Sequence, residues 1–391
     1  MSQKILLITQ NYFPEIGSAA NRMKNFYETL SEDNEVDVIT TIPVYPDTRL
    51  YIDKQQNSSE NITQVNIKIK KYEKNLFFRF LLYIEVLAKI LMVILKRKGT
   101  YDKVFVSSPP VFIILAGIVA KIKWKADLIM DIRDLWPDSF LGVEKFTNSF
   151  LLKLSFKLEK KLYRSADKII INSQGFESYL IKKGVSKEKL IFIPNSLTKT
   201  DLAIKKKEKS SLFTIIYTGN VGLAQDFDIF LEVAEKLKMD DQIRFVVIGY
   251  GYRIEYLEKK IKEKELENTV EILPPTSRGS VLNEVKQADL AFLSLKNHQI
   301  FESVLPGKLI DYLGCGIPII GVLSGYSRAV LKESKAGQAF NNQDVAGVID
   351  FIKKMKDHDE IRQKMSTSGL KYAKKYFSWE ENKHKLKELF H

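Results

Sequence analysis

The chain has one cysteine and four histidines among 391 residues, and each scarcity excludes some chemistry. Cys315 alone cannot build an intramolecular disulfide framework, which fits a reducing compartment. It sits in an apolar helix-to-strand turn and reads as a small core residue. His298, His358, His384 and His391 all lie in the second half, so the first half has no histidine to act as a base. A Cys–His or Ser–His–Asp nucleophile has little support, and no Cys/His cluster offers a zinc site. The opening MSQKILLITQ runs straight into a strand pattern, without the charged, apolar and small-residue regions of a signal peptide. None is expected, and the sequons at Asn57 and Asn61 then carry no weight.

What the chain does have is apolar surface and positive charge. Hydrophobic residues make up 45%, with 17 Tyr and 23 Phe, enough for a substantial core. The length exceeds one ordinary core, and two domains of similar size are expected. Lysine and arginine number 61 against 48 acidic residues, a net charge of +13. That excess favours anionic partners: nucleic acid, nucleotide phosphates or an anionic membrane face. Between Lys68 and Lys103 there are ten basic residues and three acidic ones.

This surplus flanks the most apolar helix pattern, Leu76 to Leu95. Its length would span a bilayer, but it carries Arg79, Glu85 and Lys89. Each charge at a bilayer centre costs about 2.5–3.5 kcal/mol on insertion scales. The three fall within about 120° of arc, so the helix lies in an interface or against a core and does not span. Lys96, Arg97 and Lys98 follow as a cluster suited to anionic lipid. A second helix, Phe150 to Arg164, places Lys153, Lys157, Lys160, Lys161 and Arg164 within about 100°. For both, the alternative is an ordinary amphipathic helix with a solvated charged face.

Apolar strand patterns recur at Lys4–Thr9, Val36–Thr41, Val65–Lys70, Lys103–Ser107, Asp127–Asp131, Lys168–Asn172 and Leu190–Ile193, most separated by helical patterns. The first of those helices covers Ala19–Leu30, with Ser18 as its expected cap. After a polar, lysine-rich stretch at Lys199–Ser211, the best linker candidate, a second series begins. It comprises Phe213–Thr218, Ile243–Gly249, Val270–Leu273, Leu290–Leu295 and Ile317–Val322. Buried strands alternating with helices predict parallel sheets covered on both faces. The expected fold class is α/β, two Rossmann-like domains that face each other across a cleft, with ligands at the carboxyl ends of the strands.

The loops at those ends hold the candidate chemistry. The first strand ends at NYFPEIGSAANR, where Gly17 lets backbone approach a phosphate and Arg22 lies one turn into the helix. In the first half, Asp131, Arg133, Asp134 and Asp138 surround a Trp136-Pro137 corner, a charge density that suits either a functional use or buried pairing. The second half opens with Gly219-Asn220-Val221-Gly222, a glycine turn after a first strand, and Gly249-Tyr250-Gly251 makes another. Asp226 and Asp228 read as helix-start residues rather than metal ligands. The richest stretch is Pro306 to Ile320. A helix begins at Pro306-Gly307 and stops at Gly316; Lys308 in its first turn and Asp311 one turn later share a face. The helix start and Lys308 favour phosphate, and Asp311 can accept hydrogen bonds from a sugar diol, which is what a nucleotide-sugar site needs.

In this order and spacing, these motifs resemble the family 4 glycosyltransferases of the GT-B fold over nearly the whole chain. They are Asn11 to Gly17, Asp131 to Pro137, Gly219 to Gly222 with Gln225, Gly249 to Gly251, Pro306 to Pro318, and Phe377-Ser378-Trp379-Glu380 before the last helix. The most similar branch builds bacterial surface polysaccharides and includes N-acetylfucosaminyl transferases. The resemblance implies an acceptor-binding domain at 1–200, a nucleotide-sugar-binding domain at 201–375, and a last helix at 376–391 that crosses back to the first domain. It implies transfer with retention from a UDP-sugar, with no metal and no cofactor. Lys308 would face the diphosphate with the amides of Gly219 to Gly222, and Asp311 would hold the ribose. Gln225, Gly249, Gly251, Ser303, Pro306 and Gly307, together with Gly17 from the first domain, complete the implied donor site.

The chain departs from the family pattern at three points. Ser303 stands where the first glutamate of the family's paired motif belongs, with Glu302 one position away. The Arg and Lys pair that many relatives carry after the Gly219 turn is absent, and Arg133-Asp134 replaces a histidine-containing pattern. Asp134 or Asp131 is therefore expected to position the acceptor hydroxyl, with Arg133 and Lys308 as the cationic groups. The expected acceptor is a lipid-linked saccharide on a polyprenyl diphosphate, for capsule or O-antigen synthesis, and the protein would sit peripherally on the inner face of the cell membrane. Two readings compete. A UDP-sugar 2-epimerase would share the fold, and a basic nucleic-acid-binding protein would explain the charge but not the glycine turns; no nucleic-acid motif is present.

Overall fold

The computed structural model describes residues 2–43, 51, 60–68, 76–138, 149–203 and 212–390. The chain forms two compact units, Met1–Pro194 with Lys383–His391 and Asn195–Asn382.

In the first unit, chain order runs β1 (Lys4–Ile8), α1 (Ser18–Leu30), β2 (Glu35–Thr41), β3 (Ile62–Val65), α2 (Leu76–Lys96), β4 (Lys103–Ser108), α3 (Ile113–Trp124), β5 (Asp127–Ile132), α4 (Ser149–Arg164), β6 (Lys168–Ile171), α5 (Glu177–Lys182) and β7 (Leu190–Phe192). The strands pair in parallel in the order β3-β2-β1-β4-β5-β6-β7. Winding reverses between β1 and β4, so the loops after these strands and after β5 gather at one edge. Every residue of β4 after Lys103 is buried, as expected of a strand covered on both faces. The third strand lies at Ile62–Val65, earlier than the expected Val65–Lys70: the run pairs with Val38–Thr41, whose register ends it at Val65, and residues 69–70 lie outside the described residues. Ser18 does not cap α1. Gly17 is the capping residue, and the helix start has no side-chain cap.

The second unit continues with α6 (Lys199–Leu202), β8 (Phe213–Asn220), α7 (Phe227–Leu237), β9 (Ile243–Tyr250), α8 (Ile254–Glu263), β10 (Val270–Leu273), α9 (Arg278–Gln287), β11 (Leu290–Ser294), α10 (Gly307–Cys315), β12 (Ile319–Val322), α11 (Gly325–Ser334), β13 (Gly337–Phe340), α12 (Val345–Asp357) and α13 (Asp359–Tyr376); the last helix, α14 (Trp379–Glu388), starts in this unit and from Lys383 onward belongs to the first. Its strands are also parallel, in the order β10-β9-β8-β11-β12-β13. Phe230 centres the core, its ring 5.4 Å from Phe245 and 5.2 Å from Phe292, both edge-on. The strand β13 has no counterpart among the expected ones: it is a half-exposed edge strand and carries no apolar run. Of the lysine-rich stretch at Lys199–Ser211, α6 and Ala203 are described, and 204–211 lie outside the described residues. Asp226 caps α7 by accepting from the Asp228 amide.

The last residues belong to the first unit. Lys387 pairs with Asp33 at 2.6 Å and Glu32 at 2.8 Å, and Lys103 donates to the Leu389 carbonyl at 2.8 Å. The Phe390 ring is buried 6.2 Å from Phe105. Among the described residues, no helix is long and apolar enough to cross a membrane.

Candidate active site

The second unit concentrates its chemistry around the start of α10. Pro306 precedes the helix with extended geometry, and its side chain cannot cap it. Gly316 ends it in the left-handed conformation at φ 62°. No acidic residue lies in the first turn, so Lys308 and the helix start form one positive end. Lys308 lies over the Tyr217 ring, its amine 4.0 Å from the centroid, and donates to the Tyr217 hydroxyl and to the Asn220 carbonyl at 3.3 Å. Tyr217 in turn donates to the same Asn220 carbonyl at 2.6 Å. Burial pulls the Lys308 amine down to about 7, against the opposing pull of Asp311.

The glycine segment expected to be a turn begins within β8, whose last two residues are Gly219 and Asn220, and shapes the other wall. Gly219 has φ 92°, and a Cβ there would lie 3.7 Å from the Lys308 amine. Gly251 has φ 132°, and its Cβ would fall 2.2 Å from Asn220 Oδ1 and 2.9 Å from the Val221 carbonyl. Both turns therefore need a residue without a side chain. Gly249 packs against Val221 in the same way. Two of the amides expected to face a diphosphate already have partners. Val221 donates to the Tyr250 carbonyl at 2.7 Å, and Gly222 donates to Gln225 Oε1 at 2.9 Å. Gln225 thus acts first on the turn itself.

Asp311 is held by Arg278, the first residue of α9. Nη2 donates to Oδ1 at 2.7 Å and Nη1 to Oδ2 at 3.4 Å, and Arg278 Nε reaches Asp201 Oδ1 at 3.2 Å. Asp201 is itself fixed by a capping box with Thr198. Ser303 closes the short 3-10 turn Gln299–Ser303 and donates to the Ile300 carbonyl at 3.3 Å.

In the first unit, Asp131 is fully buried on β5 and accepts from Arg22 Nη2 at 2.8 Å and from Ser107 Oγ at 2.9 Å. Arg22 also donates to the carbonyls of Pro194 and Ile193, both at 2.8 Å. Arg133 donates to Ser107 Oγ at 3.1 Å and lies 3.6 Å from Asp131. Burial lowers the Arg133 guanidinium from its ordinary value, with Asp131 opposing. This network joins the starts and ends of α1, β4, β5 and β7. Asp134 follows on the loop, half-buried, and the Trp136 ring packs 5.8 Å from Phe112. Gly17, with φ 150°, starts α1 through its backbone, its carbonyl accepting from Asn21 at 3.2 Å.

The structure thus gathers Gly219, Asn220, Gly222, Gln225, Gly249, Gly251, Pro306, Gly307, Lys308 and Asp311 at the carboxyl end of the second sheet. Tyr217, Arg278 and Asp201 join them unforeseen. Tyr217 reads in the sequence as one more strand aromatic, and Arg278 and Asp201 lie in polar segments that give no signal of a common partner. The sequence places Arg22 one turn into α1 but carries no local signal of its pairing with Asp131.

Two family models account for nearly the whole chain. Residues 19–198 match Glycosyltransferase Family 4, and residues 199–372 match Glycosyl transferases group 1. A candidate colanic acid biosynthesis glycosyl transferase, WcaI of Escherichia coli K12, is 23% identical over 80% of this chain and 81% of its own. The 2-deoxystreptamine N-acetyl-D-glucosaminyltransferase of Niallia circulans is 24% identical over 69% of this chain and 70% of its own. Among solved structures, HepE of Anabaena in complex with UDP-glucose superposes with a TM-score of 0.73 at 14% identity, covering 99% of both chains. With two parallel-sheet units of the matching architecture, the chain is a family 4 glycosyltransferase of the GT-B fold.

Proposed function

We propose that the enzyme transfers a sugar, with retention, from a UDP-sugar to a saccharide carried on a polyprenyl diphosphate, in capsule or O-antigen synthesis at the inner face of the cell membrane. The sugar in this reading is an N-acetylated 6-deoxyhexosamine. The observation that carries it is the pairing on α10 of Lys308 at an uncapped helix start with Asp311 one turn later. HepE, solved in complex with UDP-glucose, supports a UDP-sugar donor, and WcaI, by name a candidate colanic acid biosynthesis glycosyl transferase, supports a biosynthetic sugar transfer.

In this reading Lys308, protonated as the diphosphate arrives, neutralises charge on the leaving UDP, the kind of electrostatic stabilisation that is usually the largest catalytic term. Asp311, oriented by Arg278, accepts the ribose hydroxyls. The bond from the anomeric carbon to the diphosphate oxygen breaks, and the acceptor oxygen bonds to the same carbon on the same face. The acceptor's proton passes to the leaving phosphate, so no histidine base is needed. Asp134 positions the acceptor hydroxyl, and Asp131 holds Arg22 and Arg133 in place. No metal takes part.

Incubation with a panel of UDP-sugars, with and without membrane lipid extract, tests the reading. UDP release from one donor, raised by the lipid fraction, is expected. Interconversion of the donor without acceptor would favour a 2-epimerase instead.

A further inference from the structure

The helix α2 is apolar on two opposite sides. Leu82, Val86, Ile90 and Ile94 are buried at four-residue spacing and form its inward stripe. On the other side Leu81, Ile84, Met92 and Leu95 are exposed, Met92 by 50% and Leu95 by 63%. At about 100° per residue the two stripes are centred about 180° apart. A helix packed on a sheet ordinarily turns its charges outward, and here they lie on the flank. Glu85 accepts from the Lys68 amide at 2.7 Å and pairs with Lys89 at 2.7 Å, while Lys89 also donates to the Asn66 carbonyl. The charges thus hold the segment after β3, and the solvent side is left to aliphatic and aromatic side chains.

The ends of the outward stripe differ. At its carboxyl end Lys96 and Lys98 are exposed, whereas Arg97 turns inward to Asp37 at 3.4 Å. Lys123 donates to the carbonyls of Ile94, Leu95 and Arg97, which brings α3 and the 72% exposed Ile122 to the same end. At its amino end Phe80, itself 48% exposed, packs edge-on 5.7 Å from Phe112, which packs on Trp136. An apolar track therefore runs from the lysine rim to the loop that carries Arg133 and Asp134.

We propose that the outward face of α2 rests on an anionic lipid bilayer, with Lys96 and Lys98 at the headgroups and Phe80 at the end nearest Trp136. Apolar side chains rimmed by lysine match the acyl boundary and the negative surface of such a bilayer. A second copy of the chain fits less well, because a shared face would bring two lysine rims of a +13 chain together. The orientation deepens the reading of a lipid-linked acceptor and rests on it: the lipid would lie along the track, with its saccharide at Asp134. The docking itself does not depend on that reading.

The test is co-sedimentation of the full chain with phosphatidylglycerol-containing vesicles and with pure phosphatidylcholine vesicles, with no donor or acceptor present. The wild type is expected to pellet with the anionic vesicles. A Met92→Glu/Leu95→Glu variant should bind at least about tenfold more weakly, and Lys96→Glu/Lys98→Glu should lose the preference for anionic lipid. Unchanged UDP affinity and melting temperature would show that the variants fold. Wild-type protein that stays in the supernatant, or a double glutamate variant that still pellets, would overturn the proposal. So would a dimer that the glutamates dissociate without any vesicle binding. Vesicle binding without sugar transfer would leave the docking face standing and remove the acceptor reading alone.

Discussion

Arg278 and Asp311 meet through two hydrogen bonds, of 2.7 and 3.4 Å, so the carboxylate proposed to hold the ribose is oriented by a guanidinium from the neighbouring helix. Each oxygen of a carboxylate has two acceptor sites, and Arg278 takes one on each. The remaining sites suit a diol.

Replacing Arg278 by Ala would leave Asp311 and Asp201 without their shared counter-charge. The KM for the donor should rise about tenfold or more, with a smaller change in kcat, because the lost interaction acts mainly on binding. Arg278→Lys should recover part of the loss, since an ammonium cannot form the two-pronged contact. Steady-state kinetics over donor concentration separates the two effects.

Lys308 makes binding depend on pH. Its amine is held at about 7, against 10.5 in the unfolded chain, so between these values the unfolded chain binds a proton that the folded chain does not. Stability from this residue therefore rises with pH across that window, and the cost of burying the charge is full below it. A diphosphate draws the proton back. At pH 8, where a phosphate monoester of pKa about 6 is ionised, UDP binding should take up close to one proton from the buffer. Calorimetry in buffers of different ionisation enthalpy measures that uptake, and Lys308→Ala should abolish it.

The two aspartates of the Arg133 segment should separate by phenotype. Asp131 and Arg22 are both nearly inaccessible, at 0% and 3% side-chain exposure. Asp131→Asn should cost about 3–5 kcal/mol of stability, because it leaves buried cation without its partner. Asp134→Asn, on the half-buried loop, should cost less stability than Asp131→Asn and remove transfer. Chemical denaturation and a transfer assay on both variants check this, and a stable Asp134→Asn enzyme with full transfer would remove that residue from the mechanism.

Gly251→Ala places a Cβ 2.2 Å from Asn220 Oδ1 at φ 132°. The strain should cost about 1–3 kcal/mol and displace Asn220, whose carbonyl receives Lys308. Thermal unfolding and UDP titration should both register it.

Most of the strand series was legible in the sequence because parallel strands covered on both faces show as unbroken apolar runs. That signal failed at Gly337–Phe340, a half-exposed edge strand, and it misplaced Ile62–Val65, where pairing with β2 and not hydrophobicity sets the limits. The start of α10 was readable because Pro, Gly and Lys have fixed meanings at a helix N-terminus. The partners of its side chains were not. Arg278 lies 33 positions before Asp311, and Arg22 lies 109 before Asp131, and nothing local in either segment names the other. Tyr217 looked like core, and its ring is indeed buried, but its hydroxyl reaches Lys308.

Transfer of radiolabelled sugar from a UDP-sugar into the organic-extractable fraction, by the wild type and by a folded Lys308→Ala variant, joins donor, acceptor and α10 in one measurement. Label should enter the lipid fraction with the wild type and fall by at least about a hundredfold with the variant. Equal incorporation by both proteins would contradict the role given to Lys308, and the absence of label from every UDP-sugar would contradict the proposed donor.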